Sequence, residues 1–320
     1  MKLILCISLF TIGFASYCQQ TIADFNLQGK IKKSMVIRSA ISNEWPTDTA
    51  SYLFNNDGML IEEIEAHKHS MECTNIKTYD SKGHITLQEC TGCKKSTKWV
   101  NTYNKAGLLT KIEVPFDLLT TTMSYDSLNN LTSVVRVDSS DLRGSIFFMR
   151  TLFKYDSQGN LLSKEIHQAE RMQDSLALIA KENNTYNSSG KLTHKEEMEI
   201  KANKPCTTFS TYTYNNLEKL HTIKITHDDR STECITTYSY ENGRLISEIS
   251  DLTILVNRQV KSYKKENHYD RFGNITKYVD LTISRNYSYK YDSNGNWIEK
   301  ITFQEGFPLS KTVRIITYFD

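Results

Sequence analysis

The chain has 320 residues, and its 39 basic and 37 acidic side chains leave a formal net charge of +2. This near balance provides no single-sign field for recruiting nucleic acid, so we expect no nucleic-acid partner. The mean hydropathy of −0.48 is too polar for a thick apolar core, whereas 39% hydrophobic residues are too many for a disordered chain.

The first predicted element is a signal peptide at residues 1–18. Lys2 is followed by an apolar run that is too short to span a bilayer, and Ser16 and Cys18 are small residues suited to cleavage after Cys18. Lipid attachment at Cys18 is the alternative, which Tyr17 disfavours. No later segment approaches ~20 apolar residues, so we expect no transmembrane segment after signal removal. The mature chain, residues 19–320, is therefore predicted to be exported, whether periplasmic, cell-surface or secreted.

A repeated motif then runs along the whole mature chain. Its pattern is an aromatic residue, Asp or Asn, two variable residues, Gly, one variable residue and an aliphatic residue. Eleven copies recur about every 27 residues, and they begin at Phe25, Phe54, Tyr79, Tyr103, Tyr125, Tyr155, Tyr186, Tyr214, Tyr240, Tyr269 and Tyr291. Asn129 and Glu218 replace the glycine in two copies.

Each motif predicts a β-hairpin turn. The Asp or Asn side chain caps backbone donors of a type I turn, and the glycine takes the left-handed conformation that starts the next strand. All four prolines fall about midway between motifs, which indicates a second row of turns. Residues 19–320 are therefore predicted to form one all-β domain, an antiparallel meander of about 22 strands. Because open twisted sheets rarely exceed about ten strands, we expect a curled or spiralling sheet.

The motif resembles the YD repeat of the RHS family, as in Tyr155-Asp156-Ser157-Gln158-Gly159-Asn160-Leu161. The resemblance implies a hairpin-built sheet that can spiral into a hollow shell. In long relatives that shell encloses a toxin domain, and shorter exported relatives are described as carbohydrate-binding. The Asp-Pro-x-Gly core-associated motif is absent and no cargo-like segment follows Tyr291, so we do not expect a toxin-delivery role.

No catalytic motif is present, so no catalytic residue and no cofactor is predicted. His67, His69, Cys73, Cys90 and Cys93 form a metal-like set. In an exported chain, however, thiols more often pair with each other, so no metal site is predicted.

The repeated tyrosines are the candidate ligand-binding residues. Equivalent rings lie two strands apart, about 9.5 Å by the inter-strand spacing, a pitch suited to stacking on alternate sugars of an extended polysaccharide. Packing of each ring on its own turn is the more frequent alternative. The candidates are Tyr155, Tyr186, Tyr214, Tyr240, Tyr269 and Tyr291.

A disulfide between Cys73 and Cys90 follows from the predicted register. In antiparallel pairing, the residue numbers of directly opposed residues have a constant sum. Tyr79 and His84 flank the third loop, and their numbers add up to 163, as do those of Cys73 and Cys90. The two cysteines are therefore predicted to lie directly opposite each other. Cys93, just beyond the distal turn, is the competing partner.

Three hypotheses about function remain from the sequence. The first is a non-enzymatic surface or periplasmic binding or structural module, with a polysaccharide as ligand or a surface protein as partner. The second is a glycan-degrading enzyme with carboxylates inside the curl, which two carboxylates about 5–10 Å apart in one cleft would support. The third is a shell fragment enclosing a separately encoded partner.

Overall fold

The computed structural model describes Phe25 and residues 27–40, 46–67, 73–92, 97–139, 147–169, 174–201, 204–228, 231–256 and 259–319. The predicted signal peptide, residues 1–18, lies outside the described residues. Among the residues described, no helix is both long and apolar enough to cross a membrane.

The predicted strand count is confirmed, because 22 strands form one antiparallel sheet. The first eleven are β1 (Ile31–Ala40), β2 (Pro46–Phe54), β3 (Leu60–His67), β4 (Cys73–Tyr79), β5 (Ile85–Thr91), β6 (Thr97–Tyr103), β7 (Leu109–Val114), β8 (Leu119–Tyr125), β9 (Leu131–Asp138), β10 (Phe147–Tyr155) and β11 (Leu161–Ala169). The remainder are β12 (Ala177–Tyr186), β13 (Leu192–Lys201), β14 (Lys204–Tyr214), β15 (Leu220–His227), β16 (Thr232–Glu241), β17 (Arg244–Val256), β18 (Gln259–Tyr269), β19 (Ile275–Val279), β20 (Ser284–Tyr291), β21 (Trp297–Gln304) and β22 (Phe307–Tyr318). A short 3-10 turn, Pro115–Asp117, joins β7 to β8.

The predicted antiparallel meander is confirmed, whereas its predicted curled or spiralling form is corrected, because the two terminal strands pair with each other. Strand β1 pairs antiparallel with β2 on one side and with β22 on the other. The two terminal strands are therefore neighbours, and neither leaves a free edge. The physical reason is that an unpaired edge strand exposes a row of backbone N–H and C=O groups, which this pairing satisfies.

The described residues divide into two compact units. The first unit comprises those within Met1–Thr102, Tyr289–Lys300 and Ser310–Asp320, and the second comprises Tyr103–Ser288 and Ile301–Leu309. The apolar core of the first unit is a cluster at the motif turns, formed by Leu27, Ile31, Phe54 and Leu60. In the second unit the buried apolar side chains include Ile112, Val114, Met123, Val134 and Ile166.

Polar side chains occupy much of the remaining interior. In the first unit Ser34, Lys77, Gln88 and Asn101 are all buried. Buried polar groups require hydrogen-bond or charge partners, so these side chains need polar neighbours on the buried face of this unit.

Candidate functional site

In the described motif copies that have Asp or Asn after the aromatic residue, that side chain acts as a cap, as the sequence predicts. In the third motif, the Asp80 carboxylate accepts hydrogen bonds from the backbone N–H groups of Lys82 (2.8 Å) and His84 (2.9 Å). The amide oxygen of Asn104 accepts the same pair of bonds in the next copy. The hydrogen bonds to Asp80 hold its pKa at about 2. These side chains are therefore engaged in forming turns.

The glycine position takes positive φ even where glycine is replaced. Asn129 has φ 68° and Glu218 has φ 58°, beside 84° at Gly159. A β-bulge follows at the motif hairpins, as between Lys154 and Tyr155. The turn geometry therefore survives substitution because the flanking strand pairing imposes it.

Four of the motif tyrosines connect their repeat to the preceding one by a hydrogen bond, a role that sequence reasoning missed. The Tyr186 hydroxyl donates to the Leu161 carbonyl at 2.9 Å, and Tyr214 donates to Leu192 at 2.8 Å. Equivalent bonds join Tyr79 to Leu60 and Tyr125 to Leu109. The acceptor is the aliphatic residue that closes the preceding motif, so the periodic signal was present in the sequence.

The six candidate tyrosines all lie at the last residues of strands, next to the motif turns. Tyr155, Tyr186, Tyr214 and Tyr269 end β10, β12, β14 and β18, and Tyr291 ends β20; Tyr240 lies in β16 one residue before its end. The Tyr269 hydroxyl donates to Glu248 at 3.1 Å, and burial with that carboxylate raises the pKa of Tyr269 to about 12. Glycan binding by these rings stays a prediction.

Lysine side chains cover two of those rings. The Lys191 ammonium lies 5.2 Å from the Tyr214 ring centroid, and Lys219 lies 5.4 Å from that of Tyr240. Lys219 also donates to the Gly243 carbonyl of the following turn at 2.5 Å. Each lysine immediately follows the Gly position of its motif, so these contacts link consecutive turns by charge and cation–π attraction.

The predicted Cys73–Cys90 disulfide is wrong. A β-bulge pairs Tyr79 with Ile85 but Thr78 with Leu87, and the register then places Cys90 opposite Asn75. The pairing of Tyr79 with Ile85 raises the sum of paired residue numbers from the predicted 163 to 164, and the bulge raises it to 165, so the cysteines are offset. Cys90 keeps its thiol, whereas Cys73 is disulfide-bonded. The competing residue Cys93 lies outside the described residues, as does His69 of the metal-like set. Within the described part of the chain no group of three His, Cys, Asp or Glu could hold a metal ion.

A charged cluster lies on the buried face of the first unit. The register places Ser34 opposite Tyr52, Tyr52 opposite Glu63, and Glu63 opposite Asn75. Directly opposed residues in an antiparallel sheet point to the same side, so this row defines the buried face. Glu65, two residues beyond Glu63, belongs to the same face.

In the acidic half of the cluster, Glu63 is half-buried and Glu65 is exposed. Burial raises the pKa of Glu63, and the neighbouring Glu65 raises it further, whereas Lys77 and a hydrogen bond from Asn75 oppose that rise. Burial, Glu63 and Glu65 likewise raise the pKa of Tyr52. A raised pKa makes a carboxyl group a better proton donor than an ordinary glutamate.

The basic half of the cluster centres on Arg314. Its guanidinium carbon lies 3.7 Å from the centroid of the Trp297 ring. Burial lowers the pKa of Arg314 to about 10, with Tyr52 opposing the shift. Burial also lowers the pKa of Lys300, as do the positive charges of Arg38 and Arg314. Three cations and an indole ring therefore share this part of the first unit.

Sequence reasoning missed this cluster, although one signal for it was present. Trp297 occupies the position that is Leu or Ile in the other ten motif copies. Arg314 and Tyr52 carry no comparable signal, because strand pairing over a long sequence separation brings them together.

Comparisons with known proteins do not assign a family. The chain matches no known family model and no curated protein. Among solved structures, TcdB2-TccC3 is similar to 81% of this chain with 13% identity and a TM-score of 0.39, and the match spans 16% of that chain. A porin-like protein from Bacteroides uniformis is similar over 91% of this chain and 98% of its own, with 11% identity and a TM-score of 0.30. TM-scores this low carry no argument about function.

Proposed function

We propose that the chain is an exported, non-enzymatic protein of the YD-repeat type that serves as a binding or structural module in the periplasm or at the cell surface. The preferred ligand is a glycan, and the alternative is a surface protein. The observation that carries the proposal is that the side chains that form the turns are different from those that form the charged cluster. Motif residues such as Asp80 and Tyr186 are engaged in the fold. Arg314, by contrast, belongs to no motif copy, and its guanidinium lies on Trp297, which replaces the aliphatic residue of the eleventh copy.

The composition of the cluster supports a polar ligand. Tyr52, Glu63 and Asn75 offer hydroxyl, carboxyl and amide groups along one row, and the Asn75 Oδ1 atom is buried without a partner among the described residues. Sugars are bound through such polar groups together with aromatic rings.

A glycan array probed with the chain from residue 19 onward tests the proposal. We expect binding to a restricted set of bacterial or host glycans. Loss of that binding in a Glu63→Gln, Asn75→Ala double variant would place the ligand on the buried face. Absence of binding across the array would remove the glycan ligand and leave the protein-partner form.

The carboxylate pair Glu63 and Glu65 favours a second candidate function, glycan hydrolysis. Residues i and i+2 of a strand lie about 6.6 Å apart at Cα, and carboxyl groups about 6.5–9.5 Å apart serve inverting glycosidases. The raised pKa of Glu63 suits a general acid. Release of reducing sugar from polysaccharides, abolished by Glu63→Gln, would overturn the non-enzymatic proposal, whereas intact polysaccharide after prolonged incubation would exclude hydrolysis.

A further inference from the structure

Arg314 is an incompletely satisfied cation in the interior of the first unit. Its Nε and Nη1 atoms are shielded from solvent and have no hydrogen-bond partner among the described residues. Each of the two edges through which a guanidinium binds an oxyanion in bidentate fashion includes one of these nitrogens. Buried donors left without acceptors cost free energy, and an entering acceptor recovers it.

Two further cations lie near Arg314, and Asp48 lies directly opposite one of them, Arg38. Arg314 lies opposite Val36 on the neighbouring strand β1, and Arg38 follows two residues along the same face. Lys300 is close enough for both arginines to lower its pKa. In the described part of the chain, neither Nε nor Nη1 of Arg314 has a carboxylate or any other hydrogen-bond acceptor. Glu63 and Glu65 act instead on Tyr52.

The guanidinium of Arg314 lies over the Trp297 ring, at a distance typical of parallel stacking. Stacking at 3.7 Å from the ring centroid leaves the guanidinium edge, and not its face, as the direction from which an acceptor can approach. A planar or tetrahedral oxyanion matches that edge with two parallel hydrogen bonds, which a single neutral hydroxyl cannot do.

We propose that Arg314, Lys300 and Arg38, with Trp297 as the stacking platform, form a binding site for the oxyanion of an acidic sugar. The carboxylate or sulfate accepts hydrogen bonds from Arg314, and the side chains that now shield Nε and Nη1 move aside as it enters. The hydroxyl groups of the sugar then face Tyr52 and Glu63. The identity of the ligand rests on the proposed glycan-binding function, whereas the anion site itself does not.

Isothermal titration calorimetry of the chain from residue 19 with three probes tests the site. The probes are glucuronate, glucose 6-sulfate and glucose, each at ionic strength matched with sodium chloride. We expect both charged sugars to bind and glucose to bind at least tenfold more weakly. Comparison of the two charged probes separates a carboxylate from a sulfate ligand. Binding of glucose as tight as that of the charged sugars would overturn the proposal.

Matched variants connect the binding to Arg314. Arg314→Met should fold, because it replaces a buried, incompletely paired cation by an apolar side chain of similar length, and it should weaken binding at least tenfold. Arg314→Lys should retain part of the affinity, since the charge remains but the bidentate edge is lost. The control is Arg271→Gln, because Arg271 is exposed yet also stacks on an aromatic ring, with its guanidinium carbon 4.6 Å from the Phe272 centroid.

The outcomes separate the two proposals. Equal affinities for wild type, Arg314→Met and Arg271→Gln, with circular dichroism showing intact sheet, would overturn the anion site. An empty glycan array together with Arg314-dependent binding of the charged sugars would leave the anion site standing and remove the glycan-binding function. Glycan binding on the array that is unaffected by Arg314→Met would support the glycan-binding function and overturn the anion site.

Discussion

At the residue scale, the motif carboxylate links turn formation to pH. The backbone N–H of His84 is the main cause of the depressed pKa of Asp80, about 2, followed by the His84 side chain and the backbone N–H of Lys82. An unfolded Asp titrates near 3.9, so the stabilisation is complete above about pH 4 and is lost as the pH falls through about 2. Asp80→Asn should keep the cap, since Asn104 forms the same bonds, but should remove this pH dependence. Urea unfolding of both proteins between pH 5 and pH 2 measures the difference.

The difference between the two unfolding free energies is the informative quantity, because Asp126 and Asp156 also have lowered pKa values and titrate in both proteins. The wild-type advantage should shrink as the pH falls. A difference that is constant from pH 5 to pH 2 would show that Asp80 titrates normally in the folded protein. An NMR titration of the Asp80 carboxyl carbon supplies the direct value.

At the element scale, the tyrosine hydroxyls join hairpins that the turns alone do not connect. Tyr214→Phe removes the 2.8 Å bond to the Leu192 carbonyl while keeping the ring. We expect a loss of about 1 kcal/mol in the free energy of unfolding, the usual net value of one such hydrogen bond. Tyr212→Phe on the same strand is the control, because among the described residues the Tyr212 hydroxyl forms no corresponding bond to a preceding motif. This substitution should leave stability nearly unchanged. Equal effects of the two substitutions in urea unfolding would contradict the inter-repeat role.

At the scale of the whole molecule, the pairing of β1 with β22 unites the two ends of the meander. Ile37 lies directly opposite Val313, and directly opposed Cβ atoms lie about 4.5–5.5 Å apart, close to disulfide geometry. The double variant Ile37→Cys, Val313→Cys should therefore form a cross-link on mild oxidation, detected by non-reducing peptide mapping. The pair Ile37→Cys, Ile315→Cys is offset by two residues and should cross-link much less. Equal or absent cross-linking in the two variants would indicate a different register or an open sheet.

The candidate site could be predicted only in part, and the reason is the sequence separation of its members. The residues that form turns are local, so Asp80 and its glycine could be assigned from spacing alone. The bulge that follows the turn adds a residue to one strand, and spacing does not reveal it, which is why Cys73 was predicted to lie opposite Cys90. Trp297 replaces the Leu or Ile of the other motif copies, a signal that was not used, and its contact with Arg314 depends on the packing of later strands.

The sequence by itself determined the all-β class, the 22 strands and the positions of the motif turns, because Asp or Asn capping and positive φ at Gly are properties of four or five consecutive residues. Only the tertiary structure decided which strand is the neighbour of β1, which carbonyl each tyrosine hydroxyl reaches and which charges surround Arg314. These features depend on contacts between residues as far apart as Val36 and Arg314. Such contacts form only once the intervening hairpins are in register, so no local pattern encodes them.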